Sequence, residues 1–153
     1  MKKFSFEPPH SEESQRANWE QLISNTKTQE YDPFNGQTPS AAGFTNATVG
    51  WGTYSTMGPI VFFSINMYAS GLAISWLNGT QLRLPISAAI RDVSVNAPQQ
   101  HGLVFPATSY SGLNLTSSSA VSAFSLNPFG RLLTANGDTT GDTEVNISGW
   151  YFR

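Results

Sequence analysis

The side chains able to do acid–base or metal chemistry in this sequence are few, and their spacing limits them. The only histidines are His10, in a proline-rich stretch, and His101, in the turn "PQQHGL". Neither belongs to an HxH or HExxH pair, so a metal site built on imidazole lacks ligands. Serine is abundant, but no G-x-S-x-G elbow occurs and His101 would be the only plausible base. Four acids follow residue 44: Asp92, Asp138, Asp142 and Glu144. Paired-carboxylate hydrolysis would need two of them facing each other across a cleft. Asp92 follows Arg91 and reads more simply as an ion-paired or turn residue. The others lie in "NGDTTGDTE", where Asn136, Asp138, Asp142 and Glu144 offer hard oxygen ligands suited to calcium. The spacing matches no EF-hand loop, and Asp and Asn beside Gly are turn formers first. We therefore expect no enzyme and no cofactor. His101, Asn136, Asp138 and Asp142 remain as loop residues that could face a ligand.

Aromatic side chains are the other candidate chemistry. Trp51, Trp76 and Trp150 fall in predicted strands, with Tyr54, Tyr68, Tyr110 and Tyr151. Pointing outward, they would stack on sugar rings and make a glycan-binding face. Pointing inward, they would fill a core or a subunit interface, where aromatics bury most area. The sequons at Asn46, Asn78, Asn114 and Asn146 are expected by chance in so Asn-, Ser- and Thr-rich a chain.

These residues need a scaffold, and 153 residues without cysteine make one ordinary domain with a hydrophobic core but no disulfide or thiolate site. The start, "MKKFSFEPPHSEES", has no apolar h-region, and no apolar run approaches the ~20 residues of a membrane helix. We expect neither export nor a membrane partner. A net charge of −2 is too small to imply a nucleic-acid partner. The distribution of charge is more telling. Ten of the charged residues lie in the first 32, and from Pro33 through Leu82 there is no Asp, Glu, Lys, Arg or His. An average domain carries ~25% charged residues, so something other than solvated charge must cover this part.

Residues 1–43 read as an arm. Pro8 and Pro9 forbid a helix at the start, and "SEESQRANWEQLIS" predicts one short helix over about 14–24, capped by Ser11 or Ser14. Trp19, Leu22 and Ile23 form its apolar stripe and are candidate anchors, because two turns are marginal unless they dock. "TKTQEYDPFNGQTPSAAG" reads as an irregular linker.

From residue 44 to 153 the hydrophobic period is two. "ATVGWGTYSTM" stops at the turn signal Gly58-Pro59. "IVFFSINMYA" puts Val61, Phe63, Ile65 and Met67 on one face and Ile60, Phe62 and Tyr68 on the other, which predicts a strand covered on both sides. Asn78-Gly79 predicts a hairpin joining "LAISWL" to "TQLRLPI". Further strands are expected in "RDVSVNA", "GLVFPATSY", "SGLNLTSS", "SAVSAFSL", "GRLLTA" and "TEVNISGWYF". Eight to ten short strands with regular turn signals mean an all-β antiparallel sandwich or barrel.

"YSTMGPIVFFSINMYASG", "LRLPIS" and the terminal "EVNISGWYFR" resemble the small jelly-roll domain of bacteriophage virion surface proteins, and "RANWEQLIS" is similar to the short Asn-Trp helix that often precedes it. The resemblance implies a jelly-roll-like β-sandwich, commonly a homotrimer, found in tail fibres and other virion surface proteins. Uncharged strands apolar on both faces fit that expectation, since obligate interfaces resemble a core cut in half, with charge depleted at their centre. A short arm without a shaft favours a trimeric capsid-decorating, cement-like protein held to the major capsid protein. The alternative is a tail-associated or tail-fibre protein that binds a host receptor or glycan. Either would be assembled in the host cytoplasm.

Overall fold

The computed structural model describes residues 12–89, 100, 103–110, 119–127 and 130–153. Among these residues helix α1 spans Glu12–Thr26 and is followed by ten strands: β1 Gln29–Tyr31, β2 Val49–Met57, β3 Ile60–Tyr68, β4 Ser75–Trp76, β5 Gln81–Arg83, β6 Val104–Tyr110, β7 Ser119–Leu126, β8 Leu132–Ala135, β9 Thr139–Thr140 and β10 Glu144–Phe152. The protein is mostly β, as its period-two pattern predicts. Eight strands form one antiparallel sheet in the order β1-β2-β3-β10-β6-β7-β8-β5, curled into a half-barrel, while β4 and β9 pair separately. The last strand of the chain is thus central. β10 pairs along its whole length with β3 and over its first four residues with β6.

The core lies inside the curl. Val61, Phe63, Ile65 and Met67 of β3 are buried, as expected, and meet Val145, Ile147 and Tyr151 of β10 in the same cluster. Phe44, Trp76 and Phe124 pack as a trio with centroids 5.8–6.3 Å apart, which joins the far side of the sheet to the β4–β9 pair. Burying such rings supplies much of the folding free energy.

The stretch read as an irregular linker is instead part of the fold. Gln29–Tyr31 adds an edge strand to β2, and Phe34 and Pro39 are buried. The Asp32 carboxylate accepts hydrogen bonds from the Phe34 and Gly36 N–H groups, an Asx turn that sends Phe34 inward. Beyond that turn the chain reaches the opposite edge of the sheet. The Arg83 N–H of β5 donates to the Pro33 carbonyl at 2.9 Å, and its guanidinium donates to Asn35 Oδ1 at 2.6 Å. Residues 33–35 therefore bridge the two edges of the curl, which leaves less open edge for unwanted pairing.

Asn78-Gly79 does not close a hairpin. β4 pairs with β9 and β5 with β8, so the turn passes the chain between two sheets. Only Gly79 has positive φ (85°), whereas a type I′ turn needs it at both central residues. Tertiary bonds hold Asn78 in place: its N–H donates to Asp138 Oδ1, and its Oδ1 accepts from the Gly137 N–H. Gly58-Pro59, by contrast, joins β2 to β3 as expected. The strands expected in "RDVSVNA" and "SGLNLTSS" lie outside the described residues.

Helix α1 is longer than the expected 14–24, so Ser14 is an interior residue and not its cap; Ser11 lies outside the described residues. An exposed Arg16–Glu20 pair at i, i+4 supports it by a few tenths of a kcal/mol. Among the described residues no helix is long and apolar enough to cross a membrane.

Candidate functional site

The candidate site is the outward face of β2, β3 and β10. Alternation puts Val49, Trp51, Thr53, Ser55 and Met57 of β2 on this side, beside Ile60, Phe62, Ser64, Asn66 and Tyr68 of β3. The register aligns them in rows. Val49, Tyr68 and Glu144 form one, and Trp51, Asn66 and Asn146 the next. Thr53, Ser64 and Ser148 make the middle. Ser55, Phe62 and Trp150 follow, then Met57, Ile60 and Phe152. Glu144 is the single charged residue in the three strands.

The face has two unlike ends. At one, Met57, Phe62 and Trp150 are exposed, and Trp150 meets Phe152 edge-on at 5.6 Å. This end is apolar. At the other, exposed Trp51 and Tyr68 flank a depression of about 370 Å³ lined also by Val49, Asn66, Glu144 and Asn146. A polar network separates the two. Asn146 Nδ2 donates to Ser64 Oγ and Asn66 Oδ1, both at 2.8 Å, and Asn66 Nδ2 donates to Ser64 Oγ at 3.3 Å. The amides are therefore fixed in orientation.

Glycines on the inner side of the same strands make the platform. In "VGWGTY", Gly50 and Gly52 flank Trp51 and face inward, where a Cβ on Gly50 would overlap the Phe34 ring and one on Gly52 the Tyr31 ring. Gly149, beside Trp150, is likewise covered by the Phe105 ring. Each outward tryptophan thus stands on a strand whose back is pressed by a buried aromatic. That pattern was available in the sequence as Gly-Trp-Gly.

The residues proposed from sequence are distributed differently. Trp51, Tyr68 and Trp150 point outward, whereas Trp76 and Tyr151 belong to the core. Tyr54 is half-buried and donates to Gln29 Oε1 at 2.9 Å. Asn136, Asp138 and Asp142 are held by loop bonds. Asn136 donates to Ser125 Oγ, Asp138 accepts from the Asn78 N–H, and Asp142 accepts from the Thr143 N–H. Glu144 is on the outward face of β10, and among the described residues no group of three His, Asp or Glu gathers. His10, Asp92 and His101 lie outside the described residues, as does the side chain of Tyr110. Trp19 is 64% exposed on α1, the helix that also carries Leu22 and Ile23.

Sequence reasoning missed two buried polar groups. Gln100 is buried at 2% exposure; its amide donates to the Ala89 and Phe152 carbonyls and accepts from the Phe152 N–H, tying down the end of β10. Nothing in "PQQHGL" distinguishes it from its neighbours. Tyr31 packs edge-on against Tyr54 with its hydroxyl buried and unpartnered.

Both core phenols are held protonated well above the usual tyrosine range. For Tyr31 the main cause is burial, and nearby Tyr151 adds to it. For Tyr151 it is again burial, with the Ile86 N–H opposing and Tyr54 reinforcing. The unfolded chain loses these protons first once pH exceeds about 10, so raising pH then favours unfolding by about 1.4 kcal/mol per pH unit for each phenol. Melting temperature should therefore be flat in this respect below pH 10 and fall above it. Tyr31→Phe should reduce that alkaline slope and, by removing an unpaired buried hydroxyl, cost nothing at pH 7. Thermal melts between pH 7 and 11.5 check both.

In comparisons with known proteins, no family model, no curated protein and no solved structure matches this chain.

Proposed function

We propose that this chain is a non-enzymatic structural protein of a bacteriophage virion, a jelly-roll-like domain that associates as a homotrimer and decorates the capsid. The observation that carries the reading is the outward face of β2, β3 and β10: uncharged but for Glu144, with Met57, Phe62 and Trp150 exposed together at one end. Monomeric proteins seldom leave large apolar groups clustered on one strand face, and such clusters mark interaction surfaces. The subunit contact is assigned to that apolar end. Depleted charge fits a subunit contact, whose buried centre is poor in charged residues.

Helix α1 supplies the anchor. Trp19 stands exposed, and the i, i+3, i+4 spacing with Leu22 and Ile23 is that of a helix laid in a groove, here of the major capsid protein. Trimerisation would multiply such a contact, since three linked anchors bind far more tightly than one. The competing reading, a tail-associated protein, shares the fold and the trimer and differs in location.

Copy number separates them. Quantitative mass spectrometry of purified particles should find this chain in hundreds of copies, comparable with the major capsid protein. A few tens or fewer would move it to the tail, and absence from particles would end the virion reading altogether.

A further inference from the structure

We propose that the depression between Trp51 and Tyr68 is a binding site for a single neutral pyranose ring. It uses the opposite end of the outward face from the subunit contact, and it adds a ligand to the reading above without depending on the trimer.

Three observations converge. First, the size fits. About 370 Å³ is within the ~300–1,000 Å³ of small-molecule sites. Second, two aromatic rings stand open to solvent. Trp51 and Tyr68 are 47% and 42% exposed, and among the described residues neither stacks on another ring. They are diagonal neighbours on paired strands, since Trp51 is opposite Asn66. Diagonal positions are ~7–8 Å apart, about twice a ~3.5–4.0 Å carbon contact, so a saturated ring lodged there touches both. Third, the polar groups between them are fixed and mostly neutral. The Asn146–Asn66–Ser64 network orients the two amides, and Glu144 supplies a carboxylate that only accepts.

This combination selects the ligand class. Among the described residues no cation lines the depression, so a phosphate or carboxylate ligand would have no partner there and would meet Glu144 instead. A purely apolar ligand would desolvate the Glu144 carboxylate and the amide valences that the network leaves unused. A pyranose presents C–H faces to the aromatics and hydroxyls to the amides and the carboxylate. A quaternary ammonium would use the rings and Glu144 but not Asn66 or Asn146. The platform is also rigid, because Phe34 and Tyr31 press on Gly50 and Gly52 directly behind Trp51. Little ordering cost remains to be met on binding.

The test is titration of the full chain with the methyl glycosides of glucose, galactose, mannose and N-acetylglucosamine, followed by calorimetry and by NMR shifts. At least one should bind saturably, with a dissociation constant on the order of millimolar for so small a ligand. Trp51→Ala should weaken it at least tenfold, Trp51→Phe should retain part of it, and Leu77→Ala, an exposed position elsewhere, should leave it unchanged. Thermal melts establish that each variant is folded. Tyr68→Ala provides a second reading of the site should Trp51→Ala fail to fold. Absence of saturation for all four sugars, binding that both alanine variants leave intact, or saturable choline binding in their place would each overturn the proposal.

Discussion

Gly149→Ala should destabilise the protein by about 1–3 kcal/mol, the cost of forcing extra volume into a packed interior. The position is innermost in its consequences although it is a glycine in a strand, where alanine would ordinarily be the better residue. A Cβ there would overlap the Phe105 ring, which is itself buried and packed edge-on against Phe63 at 5.1 Å. Neither ring can swing away without opening the core. For a chain of this length the loss corresponds to a fall in melting temperature of about 3–10 °C. Ser148→Ala, one residue away but facing outward, should change stability by less than about 0.5 kcal/mol. Denaturant melts of the two variants check the contrast; equal stability would mean that Phe105 does not cover β10.

The second large effect concerns association. Phe62 and Trp150 are opposite one another on β3 and β10, at the apolar end of the outward face. If that end is buried between copies, a carboxylate placed on it is desolvated without a partner, at a cost of about 3–5 kcal/mol. Association should weaken by more than 100-fold. Phe62→Glu and Trp150→Glu should thus each yield folded monomers that keep the parental β-sheet circular dichroism but melt lower, at a temperature independent of concentration. Ser70→Glu, exposed beyond the end of β3, should leave association untouched.

Much of this architecture was legible because β2, β3 and β10 are long enough to show their period. Nine residues of "IVFFSINMY" sort into two faces, of which Val61, Phe63, Ile65 and Met67 are buried as expected, whereas the other, expected to be covered as well, leaves Phe62 and Tyr68 exposed in the single chain. Gly58-Pro59 was read correctly because the turn is local. Asn78-Gly79 was misread because its conformation is set by Gly137 and Asp138, some sixty residues away. β1 escaped notice since three residues carry no period, and Phe34 because an Asx turn aims it. The division of the outward face into an apolar end and an aromatic–amide end was hidden as well. It depends on cross-strand register, which brings Asn146 beside Asn66 across eighty residues of chain.

The claim on which the functional account stands is self-association through the apolar end of the outward face, and the mass of the protein in solution tests it most directly. Sedimentation equilibrium of the full chain at micromolar concentration should give three times the mass of a single chain, falling to the single-chain mass for Trp150→Glu. A wild-type protein that stays at the single-chain mass would contradict the account.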